Sequence, residues 1–102
     1  MSTIIASGQT PPGSTNWQQI IGNTSGIFVD VNTSAAGFSN TPVYVTSLGG
    51  NVSNWTTTGG SSVYQETPGG FRVYVRWSDG NILTPGQANS FQWHINWIGI
   101  QQ

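Results

Sequence analysis

The sequence has no cysteine and no lysine, and its only charged side chains are Asp30, Glu66, Arg72, Arg76 and Asp79, with His94 its one histidine. Each absence closes a class of function. Without cysteine there is neither a disulfide nor a thiolate metal site, and the redox compartment is left open. Two arginines in a chain of net charge −1 cannot neutralise a run of phosphates, which excludes nucleic acid as an electrostatic partner and anionic membrane surfaces with it. No apolar run reaches the roughly 18 residues of a membrane span, so no membrane insertion is expected. The N-terminal Met1-Ser2-Thr3-Ile4-Ile5-Ala6-Ser7-Gly8 lacks the basic segment and long apolar core of a recognisable signal peptide. One histidine cannot build a zinc site within a single chain, leaving only a symmetric three-histidine site on an oligomer axis. Asp30-Val31-Asn32-Thr33-Ser34 alternates oxygen ligands but lacks the glycine and distal glutamate of an EF-hand. No metal or other cofactor is expected.

What remains is a surface made of Ser, Thr, Asn, Gln and Gly over an interior rich in aromatics. Charged residues are 5% of the chain, against roughly a quarter in an average soluble protein. Aromatic residues make up 12%, which separates this composition from disorder. At 102 residues the chain, 1–102, is long enough for one core and one domain. The composition suits extracellular or surface-associated proteins, sugar-binding and virion-tail proteins alike.

Period-two alternation recurs in short runs between Gly, Pro and Asn clusters, and no stretch repeats apolar residues at helical spacing over three turns. The expected class is all-β, with strands over 4–7, 26–32, 43–48, 61–65, 70–77 and 90–100. Six strands on a chain of this length imply an antiparallel β-sandwich. The dipeptide Asp79-Gly80 suits a type I′ hairpin turn.

Alternation also assigns faces. Phe71, Val73, Val75 and Trp77 point one way, and Arg72, Tyr74 and Arg76 the other. Trp93, Ile95 and Trp97 oppose His94, Asn96 and Ile98. Val29 and Val31 oppose Phe28 and Asp30, and Val43 and Val45 oppose Tyr44 and Thr46. Placed on one sheet, the outward set of Phe28, Asp30, Tyr44, Arg72, Tyr74, Arg76, His94 and Asn96 has the composition of a subunit interface, where Tyr and Arg are enriched. The interface residues expected are Tyr44, Arg72, Tyr74, Arg76 and His94.

Several segments, in order along nearly the whole chain, are similar to the H-type lectin family of snail agglutinins and discoidin C-terminal domains. Ile5-Ala6-Ser7-Gly8 followed by Trp17 resembles that family's first strand and downstream tryptophan. Phe38-Ser39-Asn40-Thr41-Pro42-Val43 resembles its aromatic-then-proline entry into a central strand. Val63-Tyr64 with Thr67-Pro68-Gly69-Gly70-Phe71 resembles its tyrosine hairpin, and Ile95-Asn96-Trp97-Ile98-Gly99-Ile100 its closing strand. The resemblance implies a six-stranded sandwich assembled as a homotrimer about a threefold axis. It also implies non-enzymatic, metal-independent recognition of galactose or N-acetylgalactosamine type glycans near subunit boundaries.

Residue by residue, Asn23 stands where the family has an acid in the loop before the second strand, and Thr58 or a neighbour stands at its arginine. The last hairpin has no Trp-His pair, although Trp77 and Asp79 lie where that pair would begin, and Phe91 matches the aromatic before the last strand. A sugar offers hydroxyls to Asp, Asn and Gln and an apolar ring face to an aromatic. The carbohydrate-binding set expected is therefore Asn23, Trp77, Asp79, Asn81 and Phe91, with Gln87 and Asn89 beside them. Trp55 reads as a loop anchor into the core, with an exposed sugar platform as the alternative.

Catalysis finds little support. Glycoside cleavage needs two carboxylates at a defined separation, and Asp30, Glu66 and Asp79 are the only ones in the chain. No Gly-x-Ser-x-Gly elbow accompanies His94, which sits between two core tryptophans. Four Asn-x-Ser/Thr sequons, at Asn23, Asn32, Asn51 and Asn54, matter only on a eukaryotic secretory route. Besides a lectin, the sequence admits a structural or adhesive trimeric module of a virion tail or cell surface that binds no sugar.

Overall fold

The computed structural model describes residues 3–102 and is all-β, with antiparallel sheets. Its elements are β1 (Ile4–Gln9), β2 (Gln18–Ile20), β3 (Asn23–Asn32), β4 (Val43–Gly49), β5 (Thr57–Thr58), β6 (Tyr64–Thr67), β7 (Gly70–Trp77), α1 (Pro85–Ser90) and β8 (His94–Gln101), with short 3-10 turns at Ser34–Ala36 and Asn54–Thr56. The first sheet has the order β1-β8-β4; the second runs β2-β3-β7-β5, with β6 also paired to β7. The expected six strands are present with shifted ends, and β2 and β5 are additional short ones. Among the described residues, no helix is long and apolar enough to cross a membrane.

One core lies between the sheets. β7 contributes Phe71, Val73 and Val75, β3 contributes Ile27, Val29 and Val31, and β8 contributes Ile95 and Trp97, as the alternation predicts. The sheets meet where Tyr44 packs on Phe71, ring centroids 4.5 Å apart, and where Trp97 lies edge-on to both.

Tyr44 is a correction to the face assignment. It is buried at 8% exposure, while Val43 and Val45 point to solvent. Period-two alternation fixes which residues share a face but not which face is inner, and Val-Tyr-Val-Thr supports either choice. Inside, the larger ring removes more apolar area from water than either valine would. Its hydroxyl, the usual objection to burial, bonds Thr33 Oγ1 at 2.7 Å and donates to the Thr67 carbonyl at 2.7 Å. Thr46 is satisfied likewise through Gly60 O at 2.9 Å. Directly opposite Tyr44 on β8 is Gly99, where an added Cβ would lie 2.7 Å from Phe38 and 3.2 Å from Tyr44, so the two rings occupy the space a side chain would take.

A second correction concerns the connection from β7 to β8. Asp79-Gly80 makes no type I′ hairpin: that turn needs positive φ at both central residues, and here only Gly80 has it, at 78°. The Gly80 amide closes a turn onto the Trp77 carbonyl at 3.1 Å and the chain runs on into α1. Thr84-Pro85-Gly86-Gln87 is a capping box with proline in the first turn. Thr84 Oγ1 accepts from the Gln87 amide at 3.2 Å, and Gln87 Oε1 accepts from the Thr84 amide at 3.0 Å. The last strand therefore starts at His94, after the helix, rather than at Ser90.

Candidate functional site

The two outer faces of the molecule are chemically unlike, so the mixed face expected from alternation is in fact split between them. Phe28, Asp30, Arg72, Tyr74 and Arg76 lie on the outer side of the second sheet. His94 and Asn96 lie on the outer side of the first, and Tyr44 lies on neither.

On the second sheet the register places Asp30 opposite Arg72 and Phe28 opposite Tyr74. The Arg72 guanidinium grips Asp30 with two bonds, Nε to Oδ1 at 2.7 Å and Nη2 to Oδ2 at 2.9 Å. It also lies 4.2 Å above the Phe28 ring and donates to Tyr74 Oη at 3.3 Å. Arg72 is thus engaged within its own chain. The hydrogen bonds from Arg72 hold the Asp30 carboxyl below its ordinary value, against the opposing cost of desolvation, and Asp30 pushes Arg72 up.

With its folded value depressed, Asp30 adds stability above the ordinary carboxylate range, and that contribution is lost as pH falls through the depressed value. Because Asp30 is exposed, the effect on stability is small. The observable is the titration itself. Carboxyl NMR of Asp30 should show protonation at lower pH than a free aspartate, returning to the ordinary value in Arg72→Ala. An unshifted titration in the native chain would contradict the bidentate pair.

Arg76, by contrast, has no ion-pair partner among the described residues and stands at the rim of an open cleft of about 260 Å³. The cleft is lined by Ile20, Asn23, Gly26, Thr58, Gly59, Ser62, Tyr64, Tyr74, Val75 and Arg76. Its shape follows from the register. Gly26 lies beside Arg76, and Thr58 is the last residue of β5 to pair with β7, so the edge opens into a hollow beyond it. Gly59 forms the floor. Its φ is 106°, and an added Cβ would clash with the Tyr74 carbonyl oxygen, so only glycine fits. Tyr64 and Tyr74 meet edge to face at 5.1 Å and form an aromatic wall.

The loops at this end of the sandwich are tied together. The Ser78 amide donates to Thr56 O at 2.9 Å and the Leu83 amide to Thr24 O at 3.1 Å. Trp55 stands here on the turn Asn54–Thr56 and is 87% exposed. It is therefore no anchor, which reverses the preferred expectation. The run Asn51-Val52-Ser53-Asn54-Trp55-Thr56-Thr57-Thr58-Gly59-Gly60 is otherwise Asn, Ser, Thr and Gly, and its one other apolar residue, Val52, is itself exposed. The turn itself is well fixed: Asn54 Nδ2 donates to Leu48 O, Thr56 Oγ1 to Ser53 O and Thr57 Oγ1 to Asn54 O. Ile21, Val52 and Ile82 are likewise exposed, on the segments before β3, before β5 and after β7.

Of the expected carbohydrate-binding residues, Asn23 lines the cleft, and Asp79 and Asn81 are exposed on the adjoining loop. Asp79 and Asn81 hold each other, Asn81 N to Oδ1 at 2.9 Å and Asn81 Nδ2 to Oδ2 at 3.0 Å. Each carboxylate oxygen keeps a lone pair for a ligand. Trp77 and Phe91 are placed differently. Both are half-buried and pack on Trp93, at 5.1 and 5.5 Å between ring centroids, as part of the core margin. Gln87 stays exposed and closes the capping box through its Oε1, while Asn89 Nδ2 turns inward to Thr15 O at 3.0 Å. Tyr64, Tyr74 and Arg76 are cleft residues that the sequence left unassigned to it, and Trp55 was the platform only as the second alternative. A hollow of about 310 Å³ at the other end of the second sheet includes Asp30, Asn32, Gln65 and Thr67, but its charged group is already held by Arg72. His94, on the first sheet, is fixed by its Nδ1 contact with Gln92 O at 2.9 Å.

No protein-family model and no curated protein matches this chain. Function has to be argued from the site.

Proposed function

We propose that the chain is a non-enzymatic carbohydrate-binding module of H-type lectin-like, sandwich architecture, working outside the cell as a multivalent homotrimer on galactose or N-acetylgalactosamine type glycans. The observation that carries this is the exposed Trp55 on a fixed turn beside a polar-aromatic cleft. A sugar ring stacks its apolar C–H face on an indole and gives its hydroxyls to amide, guanidinium and carboxylate groups. Trp55 supplies the first, and Asn23, Arg76, Asp79 and Asn81 supply the second. Trp55 is three residues from Thr58 in the cleft wall, a span of at most about 11 Å. One oligosaccharide can therefore touch both. Single sites of this open kind bind weakly, and multivalency raises the avidity.

Nothing in the site calls for bond cleavage. Asp30 is bound to Arg72 on another part of the face, and Asp79 is bound to Asn81 in a turn. The test is a glycan array probed at multivalent density, with competition by free galactosides. Binding that galactosides displace is the expected result. No signal on any glycan would sink the lectin proposal in favour of the adhesive or structural trimer.

A further inference from the structure

The outer face of the first sheet carries a different message. In register across β1, β8 and β4, Ile5, Ile100 and Val43 form one row, and Ser7, Ile98 and Val45 the next. Gln9, Asn96 and Ser47 form a polar third row. Ile5, Val43, Val45 and Ile98 are 46–68% exposed. No Asp, Glu, Lys or Arg occurs anywhere in these three strands, because all five charged residues lie on the second sheet or in the loop after β7. Both edges of the sheet, β1 and β4, are unpaired and carry neither the lysine nor the proline with which lone sheets guard against pairing.

We infer that this face, centred on Val45 and Ile98, is where copies of this chain contact one another, and that the arginine-tyrosine face of the second sheet stays free. A second copy is the occupant that fits. The rows at its centre hold no charged residue, so they offer a charged partner nothing to pair with, whereas their own duplicate is equally uncharged and apolar. The area agrees. Four side chains at this exposure present roughly 400 Å² of apolar surface per protomer, the level at which patches mark contact sites. Two such faces with their polar rows reach the ~1,000 Å² that a specific interface needs. A hollow of about 160 Å³ beside Val45 and Ile98 is smaller than a ligand site and suited to an inserted aliphatic side chain. This assignment moves the subunit contact away from Arg72, Tyr74 and Arg76, and it stands whether or not the chain binds a sugar.

The test is light scattering of the full chain at micromolar concentration. The native protein should be oligomeric, and Val45→Lys with Ile98→Lys should give a monomer. Val43→Thr with Val45→Thr keeps the β-branched shape and serves where the lysine pair fails to fold. It should dissociate at concentrations at least tenfold higher than the native chain does. Arg76→Ala and Tyr74→Ala should leave the mass unchanged. A monomeric native protein would overturn the inference, as would an oligomer that survives both double substitutions or dissociates on Arg76→Ala. Glycan-array binding by the lysine variant tests the sugar proposal separately, since a monomer that still binds at high density leaves that proposal intact.

Discussion

Trp55→Ala should lower glycan affinity by roughly thirty-fold or more, because an aromatic at the centre of a small contact is worth about 2 kcal/mol or above. The same change should leave folding nearly untouched. Trp55 is 87% exposed, and the bonds that shape its turn come from Asn54, Thr56 and Thr57, not from the indole. A surface substitution of this kind moves stability by about half a kcal/mol, a few degrees in Tm. Trp55→Phe, with a smaller ring, should fall between. Asp79→Ala with Asn81→Ala removes the mutual hydrogen bonds and the polar half of the proposed contact, and should weaken binding without altering the oligomer mass. If Trp55→Ala binds as the native chain does while the Asp79 and Asn81 pair abolishes binding, the ligand sits on the loop alone and the indole has no part. If both variants bind normally, the site is elsewhere.

The exposure of this tryptophan is also the clearest case of what sequence leaves undecided. Alternation located the long strands because half-buried strands must repeat every two residues, and Val29 to Val31, Phe71 to Val75 and Trp93 to Trp97 all obey it. It could not orient β4, where Val43 and Val45 compete with Tyr44 and Thr46. The choice depends on hydrogen-bond partners for the tyrosine hydroxyl at Thr33 and Thr67, which lie 11 and 23 residues away. The helix at Pro85–Ser90 was legible in principle. Thr84 and Gln87 are spaced as a capping box, but Pro85-Gly86 also reads as a turn, and a six-residue helix leaves no periodicity to decide between them. The cleft was not legible, because Asn23, Thr58, Tyr74 and Arg76 become neighbours only through the β3 to β7 and β5 to β7 pairings.

Charge is segregated between the two sheets. The second sheet and the loops at its end hold Arg72, Arg76, Tyr64, Tyr74, Asp79 and Trp55, and so both arginines and the groups of the cleft. The first holds β-branched aliphatics in two rows beside a polar row of Gln9, Asn96 and Ser47, with no Asp, Glu, Lys or Arg. Association through the first sheet would leave the clefts on the second unblocked and repeated in one particle, the arrangement that multivalent binding requires.

Trp93→Ala should have the largest effect on folding, with a loss of about 3–5 kcal/mol, the usual cost of truncating a buried large aromatic. Trp93 is fully buried. It is the ring on which Trp77 and Phe91 pack, its indole N–H donates to Val52 O at 2.9 Å, and its own carbonyl accepts from the Trp17 indole at 3.2 Å. Against a total stability of roughly 5–15 kcal/mol for a domain of this kind, that loss takes about a fifth or more. With a urea slope of about 1–2 kcal/mol per molar, the unfolding midpoint should fall by roughly 2 M or more. Trp93→Phe retains part of the ring and should cost clearly less. The bond to Val52 adds a functional consequence, because it fixes the start of the segment that carries Trp55. Trp93→Phe should therefore weaken glycan binding more than its modest loss of stability accounts for, measured well below the unfolding midpoint. A midpoint within half a molar of the native value for Trp93→Ala would mean that the packing of β8 against the loops is not as described. Unchanged binding in Trp93→Phe would mean that the Trp55 turn holds its shape without that tie.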